Sequence, residues 1–148
     1  MLFRSYGARF AGAPLEVEEA LTAYGAKVGV AFQLSDDILD VASESAESGK
    51  TPGTDLREGV PTLPVLIAQR STDPADSRLL ELLAGDLTDD DAHAEALMLL
   101  RAHPAMGEAG AFVAGQAVEA KQLLKVLPLG PAREALEAFA DAIAVRST

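Results

Sequence analysis

The chain has 148 residues, 49% hydrophobic and 24% charged, with 12 Lys and Arg against 23 Asp and Glu and no cysteine. That length fits one domain, residues 1–148, with enough chain to bury a core. A formal net charge of −11 argues against a nucleic-acid partner, and the lack of cysteine excludes disulfides, thiolate metal sites and a cysteine nucleophile.

Ala and Leu supply 28 and 21 residues, while aromatics make up only 5%. Strong helix formers therefore dominate and strand-enriched residues are scarce, which predicts an all-α protein. No apolar run approaches the roughly 20 residues of a membrane span. The N-terminus lacks a signal-peptide layout, and the absence of cysteine suits a cytoplasmic location.

A first short helix is predicted over Leu2–Ala11, ending at Gly12-Ala13-Pro14. A second begins near Leu15, carries Glu16, Glu18 and Glu19 in its first turns, where acids suit the helix dipole, and runs to about Val41. Its interior holds Gly25 and Gly29, each costing about 1 kcal/mol against Ala. Close approach of a helix or ligand is one reason for them, and chance glycines in a buried helix is the other. Ala42 to Gly59 reads as the main irregular segment. A third helix starts at Pro61 or Thr62 and reaches Arg70, and a fourth spans Asp76–Ala84 until Gly85-Asp86 breaks it. Thr88 reads as the cap of a fifth helix, with Asp91 completing a capping box, and this helix ends near Arg101. His103-Pro104 opens a sixth, with Pro at its first position, running to Leu127. The last spans Ala132–Val145.

Two acidic clusters differ in position. Asp89-Asp90-Asp91 opens a helix, where carboxylates gain about 0.3–1 kcal/mol from the dipole, so a structural role suffices. Asp36-Asp37-Ile38-Leu39-Asp40 closes one, at the end where negative charge is disfavoured. Asp36 and Asp40 are a like-charged i,i+4 pair. Along the chain, no Lys or Arg lies between Lys27 and Lys50. Such crowding is recovered by a bound cation, and oxygen-only donors favour Mg²⁺, which completes its shell with water and phosphate. A solvated acidic face is the alternative. In the next loop, Lys50 can meet a phosphate as a point charge or simply solvate. Arg57 can do the same or pair with Asp55 or Glu58.

The run Ala31-Phe32-Gln33-Leu34-Ser35-Asp36-Asp37-Ile38-Leu39-Asp40, then Gly49-Lys50-Thr51-Pro52-Gly53-Thr54-Asp55-Leu56-Arg57-Glu58-Gly59 and Thr62-Leu63-Pro64, strongly resembles the trans-isoprenyl diphosphate synthases (polyprenyl synthetases). It is similar to their second aspartate-rich motif, FQ-x-x-DD-x-x-D, followed by GK-x-x-G-x-D and EG-x-x-TLP. The version here is most similar to long-chain heptaprenyl and octaprenyl diphosphate synthases, and the resemblance covers essentially the whole chain.

The resemblance implies an all-α bundle of the isoprenoid synthase type. It implies Mg²⁺-dependent, head-to-tail trans condensation of an allylic diphosphate with isopentenyl diphosphate. Carried onto this chain, Asp36, Asp37 and Asp40 would bind Mg²⁺, directly or through its water shell. Lys50 would contact the leaving diphosphate, Gln33 would lie near the reacting carbons, Phe32 would wall the hydrocarbon, and Asp55 would orient Lys50 or a metal-bound water. Metals and cations would stabilise the departing charge while the protein excludes water.

Only one DD-x-x-D occurs, so the chain resembles the C-terminal half of a synthase and carries half a metal cage. The expectation is a prenyltransferase segment inactive by itself. A non-catalytic half-synthase acting as a partner or regulatory subunit is the alternative. Apolar stripes around Leu21, Val28, Phe32 and Leu39 would then be exposed, favouring homo-oligomerisation, usual in the family, or a partner chain supplying the N-terminal half. His93 and His103 are expected at the surface or in caps. Gly107, Gly110 and Gly115 should permit tight helix packing, and Met98 and Met106 should fill the core.

Overall fold

The computed structural model describes residues 7–43 and 52–146. Among them the structure is helical, without strands. The helices are α1 (Leu15–Ala42), α2 (Thr54–Arg57), α3 (Leu63–Ala68), α4 (Ser77–Ala84), α5 (Asp90–Ala102), α6 (Ala105–Leu123) and α7 (Pro131–Val145), with 3₁₀ turns at Pro74–Asp76 and Leu124–Val126. Residues 7–10 are also helical, and Gly12 turns the chain at φ 70°.

Backbone contacts divide the chain into two compact units, residues 1–35 with 112–148, and residues 36–111. The first unit buries Tyr24, Val28 and Ala31 of α1, Val113, Ala117 and Ala120 of α6, and Ala140 and Ile143 of α7. Small residues at these positions let helices pack closely. The Tyr24 hydroxyl donates to the Leu136 carbonyl at 2.7 Å, which lets a fully buried phenol sit in that core. Lys27 pairs with Glu119 at 2.5 Å, joining α1 to α6, and Lys121 pairs with Asp141, joining α6 to α7.

The second unit is built on a core of Val41, Leu56, Val65, Leu79, Leu82, Leu87, Leu97 and Leu100. Ala96, Leu97 and Leu100 give α5 its buried stripe at helical spacing. Asp73 caps the Pro74–Asp76 turn by accepting from the Ala75 amide at 2.9 Å. His103 Nδ1 accepts the Ala105 amide at 3.0 Å at the start of α6, which leaves Nε2 to donate to Asp76 Oδ2 at 3.1 Å. The Ser71 hydroxyl donates to the same oxygen at 2.5 Å.

Several expectations need correction. The Ala42–Gly59 segment is not irregular throughout, because Thr54–Arg57 forms a helical turn. The cap of α5 is Asp89, whose carboxylate accepts the Ala92 amide at 3.0 Å, not Thr88. Pro104 precedes α6, its carbonyl taking the Glu108 amide. Val28 is buried rather than part of an exposed stripe, and Leu21 and Leu39 are half-buried, leaving Phe32 as that stripe's exposed member. Met98 is 61% exposed and fills no core, whereas Met106 packs against it. A Cβ on Gly107 or Gly115 would meet nothing within 4 Å, so tight packing does not explain those glycines. Gly25 is buried, but Gly29 on the same face is exposed.

Candidate functional site

The site begins with the C-terminal end of α1. Asp36, Asp37 and Asp40 are all half-buried there. An α-helix turns about 100° per residue, so Asp40 is a surface neighbour of both Asp36 and Asp37, while Asp36 and Asp37 diverge from each other. Among the described residues, no group of three or more His, Asp or Glu side chains is arranged to hold a metal ion. The triplet therefore does not converge into a self-contained cage. What the helix end offers is Asp40 flanked by Asp36 and Asp37, an oxygen-only donor set.

Asp40 is held at both its side chain and its backbone. Its Oδ2 accepts the Asp55 amide at 3.1 Å, and its backbone carbonyl accepts the Gly53 amide at 2.8 Å. Both donors lie at the start of α2, whose own cap residue, Gly53, has no side chain to offer and sits at φ 69°, ψ 27°. A carboxylate on α1 thus satisfies an amide that the short helix cannot pair internally. Leu56, 4% exposed, anchors α2 in the core.

Arg57 does not pair with Asp55 or Glu58. Its guanidinium donates to the Thr88 carbonyl and pairs with Asp90, both at 2.9 Å, bracing α2 against the start of α5. The acidic run before α5 therefore has the structural employment expected of it. Phe32 and Gln33 belong to the first unit and are both exposed. The Phe32 ring carries the Arg146 guanidinium 4.9 Å from its centroid, a cation–π contact. Lys50 lies outside the described residues.

Two residues that order this region escaped the reading from sequence. Arg101 Nε donates to the Val41 carbonyl at 2.6 Å and Nη2 to the Ser43 carbonyl at 2.5 Å. A cation thus sits at the very helix end that seemed to lack one, and it offsets part of the charge crowding. His93 is not a surface or capping residue. It is 5% exposed, with Nε2 2.8 Å from the Gly53 carbonyl. A signal for it existed, since His93 precedes Ala96, Leu97 and Leu100 by three, four and seven positions, on their buried stripe.

With this geometry in place, comparisons with known proteins are decisive. The polyprenyl synthetase family model matches residues 2–100. This chain belongs to the polyprenyl synthetase family. It is 50% identical over 135 residues to the nonaprenyl diphosphate synthase of Mycobacterium tuberculosis, covering 91% of this chain and 40% of that protein. The geranylgeranyl pyrophosphate synthase of Corynebacterium glutamicum, solved with calcium and isoprenyl diphosphate, superposes with a TM-score of 0.88 at 40% identity, covering 97% of this chain and 44% of that one. The same enzyme solved with isoprenyl diphosphate and magnesium gives a TM-score of 0.77 at 30% identity, over 95% of this chain and 40% of that one. The fold is thus the all-α isoprenoid synthase type, and the chain spans about 40% of the length of the curated relatives it matches.

Proposed function

We propose that this polyprenyl synthetase chain supplies one side of a magnesium diphosphate site used in head-to-tail trans condensation of an allylic diphosphate with isopentenyl diphosphate. The observation carrying the reading is the end of α1, where Asp36 and Asp40 share a face and Asp40 is tied to the start of α2. Mg²⁺ usually takes one or two protein carboxylates and completes its octahedron with water and phosphate oxygens. A half-buried pair of oxygen donors fits that demand, and Asp37 would act through the water shell.

When bound, magnesium neutralises charge on a departing diphosphate. The chain's own residues do the rest. Asp36 and Asp40 set where the diphosphate sits. Lys50 contributes a positive charge to the leaving group. Arg57, expected as a phosphate ligand, enters the proposal as a brace, since its guanidinium serves Thr88 and Asp90.

The relatives are longer than this chain, and turnover is proposed to need the segment corresponding to their remaining length. Labelled allylic and isopentenyl diphosphates, assayed with the chain alone and with the N-terminal segment of the mycobacterial relative added, test this. Prenyl transfer is expected only in the mixture, and Asp36→Ala should lower it at least tenfold, about 1.4 kcal/mol of barrier. Ordinary turnover by the chain alone would refute the need for a complement. Full activity of Asp36→Ala in the mixture would refute the site.

A further inference from the structure

We propose that His93 is a positioning residue for Asp40, holding from α5 the turn that clamps that carboxylate. The inference rests on the reading of Asp40 as part of the cation site.

A buried imidazole costs free energy unless its polar atoms are paired, and an apolar residue at this place in the α5 stripe would avoid the cost. His93 is paired with the carbonyl of Gly53, 40 residues away in sequence. A carbonyl only accepts, so Nε2 carries the proton. The same Gly53 donates its amide to the Asp40 carbonyl at 2.8 Å, and two residues on the Asp55 amide reaches Asp40 Oδ2 at 3.1 Å. One short turn therefore grips Asp40 at backbone and side chain, while His93 grips the turn from behind.

The fit leaves no slack. A Cβ built on Gly53 would stand 2.8 Å from His93 Nε2 and 3.0 Å from Leu97 Cδ1, and Gly53 has a φ of +69° that other residues rarely adopt. The glycine is thus required by the imidazole against it as well as by its backbone angle. If the imidazole is removed, the turn loses its rear support, and the Asp40 carboxylate loses the fixed amide that orients it. Partners of this indirect kind, one step removed from a metal ligand, typically change affinity 10–100-fold when mutated.

The experiment uses the full chain, with magnesium and inorganic pyrophosphate as the probe, and reads binding by calorimetry alongside amide exchange at Gly53 and Asp55. His93→Ala is expected to speed exchange at both amides and weaken magnesium pyrophosphate binding about tenfold or more. His93→Gln, which keeps an N–H near the position of Nε2, should restore most of both. Leu82→Ala, elsewhere in the same core, should lower the melting temperature without changing affinity, which separates positioning from loss of stability. Wild-type exchange at Gly53 and Asp55 in His93→Ala would overturn the proposal, as would His93→Gln failing on both readouts. If the wild-type chain binds no magnesium pyrophosphate while exchange still responds to His93→Ala, the cation-site reading falls and the role assigned here falls with it, but the His93–Gly53 latch stands.

Discussion

Asp76 shows how single residues in the second unit carry paired duties. Its carboxylate accepts from the Ser71 hydroxyl and from His103, and these hydrogen bonds, the Ser71 bond foremost, hold its pKa below the ordinary 3.8. A carboxyl with a depressed folded pKa contributes stability that is fully present above its unfolded value and lost as pH falls through its folded value. The melting temperature should therefore drop on acidification below about 3.8, and the drop should be shallower in Ser71→Ala. Identical acid limbs in the two proteins would contradict this reading. Glu95 is depressed in the same way by Arg78, which pairs with it at 2.6 Å and with Glu81 at 3.0 Å. His93 belongs at this scale too. Its stripe position was legible in the sequence, but its partner Gly53, 40 residues away, was not.

At the scale of elements, the ends of α1 and α2 decide the geometry of the site. Neither end closes itself. The last carbonyls of α1 take Arg101, 60 residues on, and the first amides of α2 take Asp40, 15 residues back. Arg101→Ala should cost about 1 kcal/mol of stability in denaturant unfolding, the usual worth of such hydrogen bonds near the surface. No change in the midpoint would show that water replaces the guanidinium without loss. These ends also mark where sequence reasoning stopped. The long helices α1, α5, α6 and α7 were readable because their apolar residues repeat over several turns. Helix α2, with four residues, is too short to show a period, and it exists through contacts with α1 and α5. The capping residue of α5 was misplaced by one because Thr88 and Asp89 are both good caps, and backbone geometry chose Asp89. The crowding of acids at the end of α1 was legible as local chemistry. That Arg101 would reach this end was not, because charges counted along the chain say nothing of charges brought in by folding.

For the whole molecule, membership of the polyprenyl synthetase family and a span of about 40% of its relatives frame the functional proposal. No helix among the described residues is long and apolar enough to cross a membrane. The exposed apolar residues of the first unit include Phe10 at 88%, Leu15 at 68% and Phe32 at 42%. They are fewer along the expected stripe than the helical pattern implied, since Val28 is taken into that unit's own core. Each unit buries a core of its own, while the first unit still exposes large apolar side chains, Leu129 at 86% and Val145 at 71% among them. The most direct measurement is a calorimetric titration of the chain with inorganic pyrophosphate in magnesium and in chelator, repeated for Asp36→Ala and for Asp91→Ala, an exposed acid in the first turn of α5. Binding should require magnesium, weaken about tenfold or more in Asp36→Ala, some 1.4 kcal/mol, and persist in Asp91→Ala. Equal loss in both variants, or binding that ignores magnesium, would contradict the account.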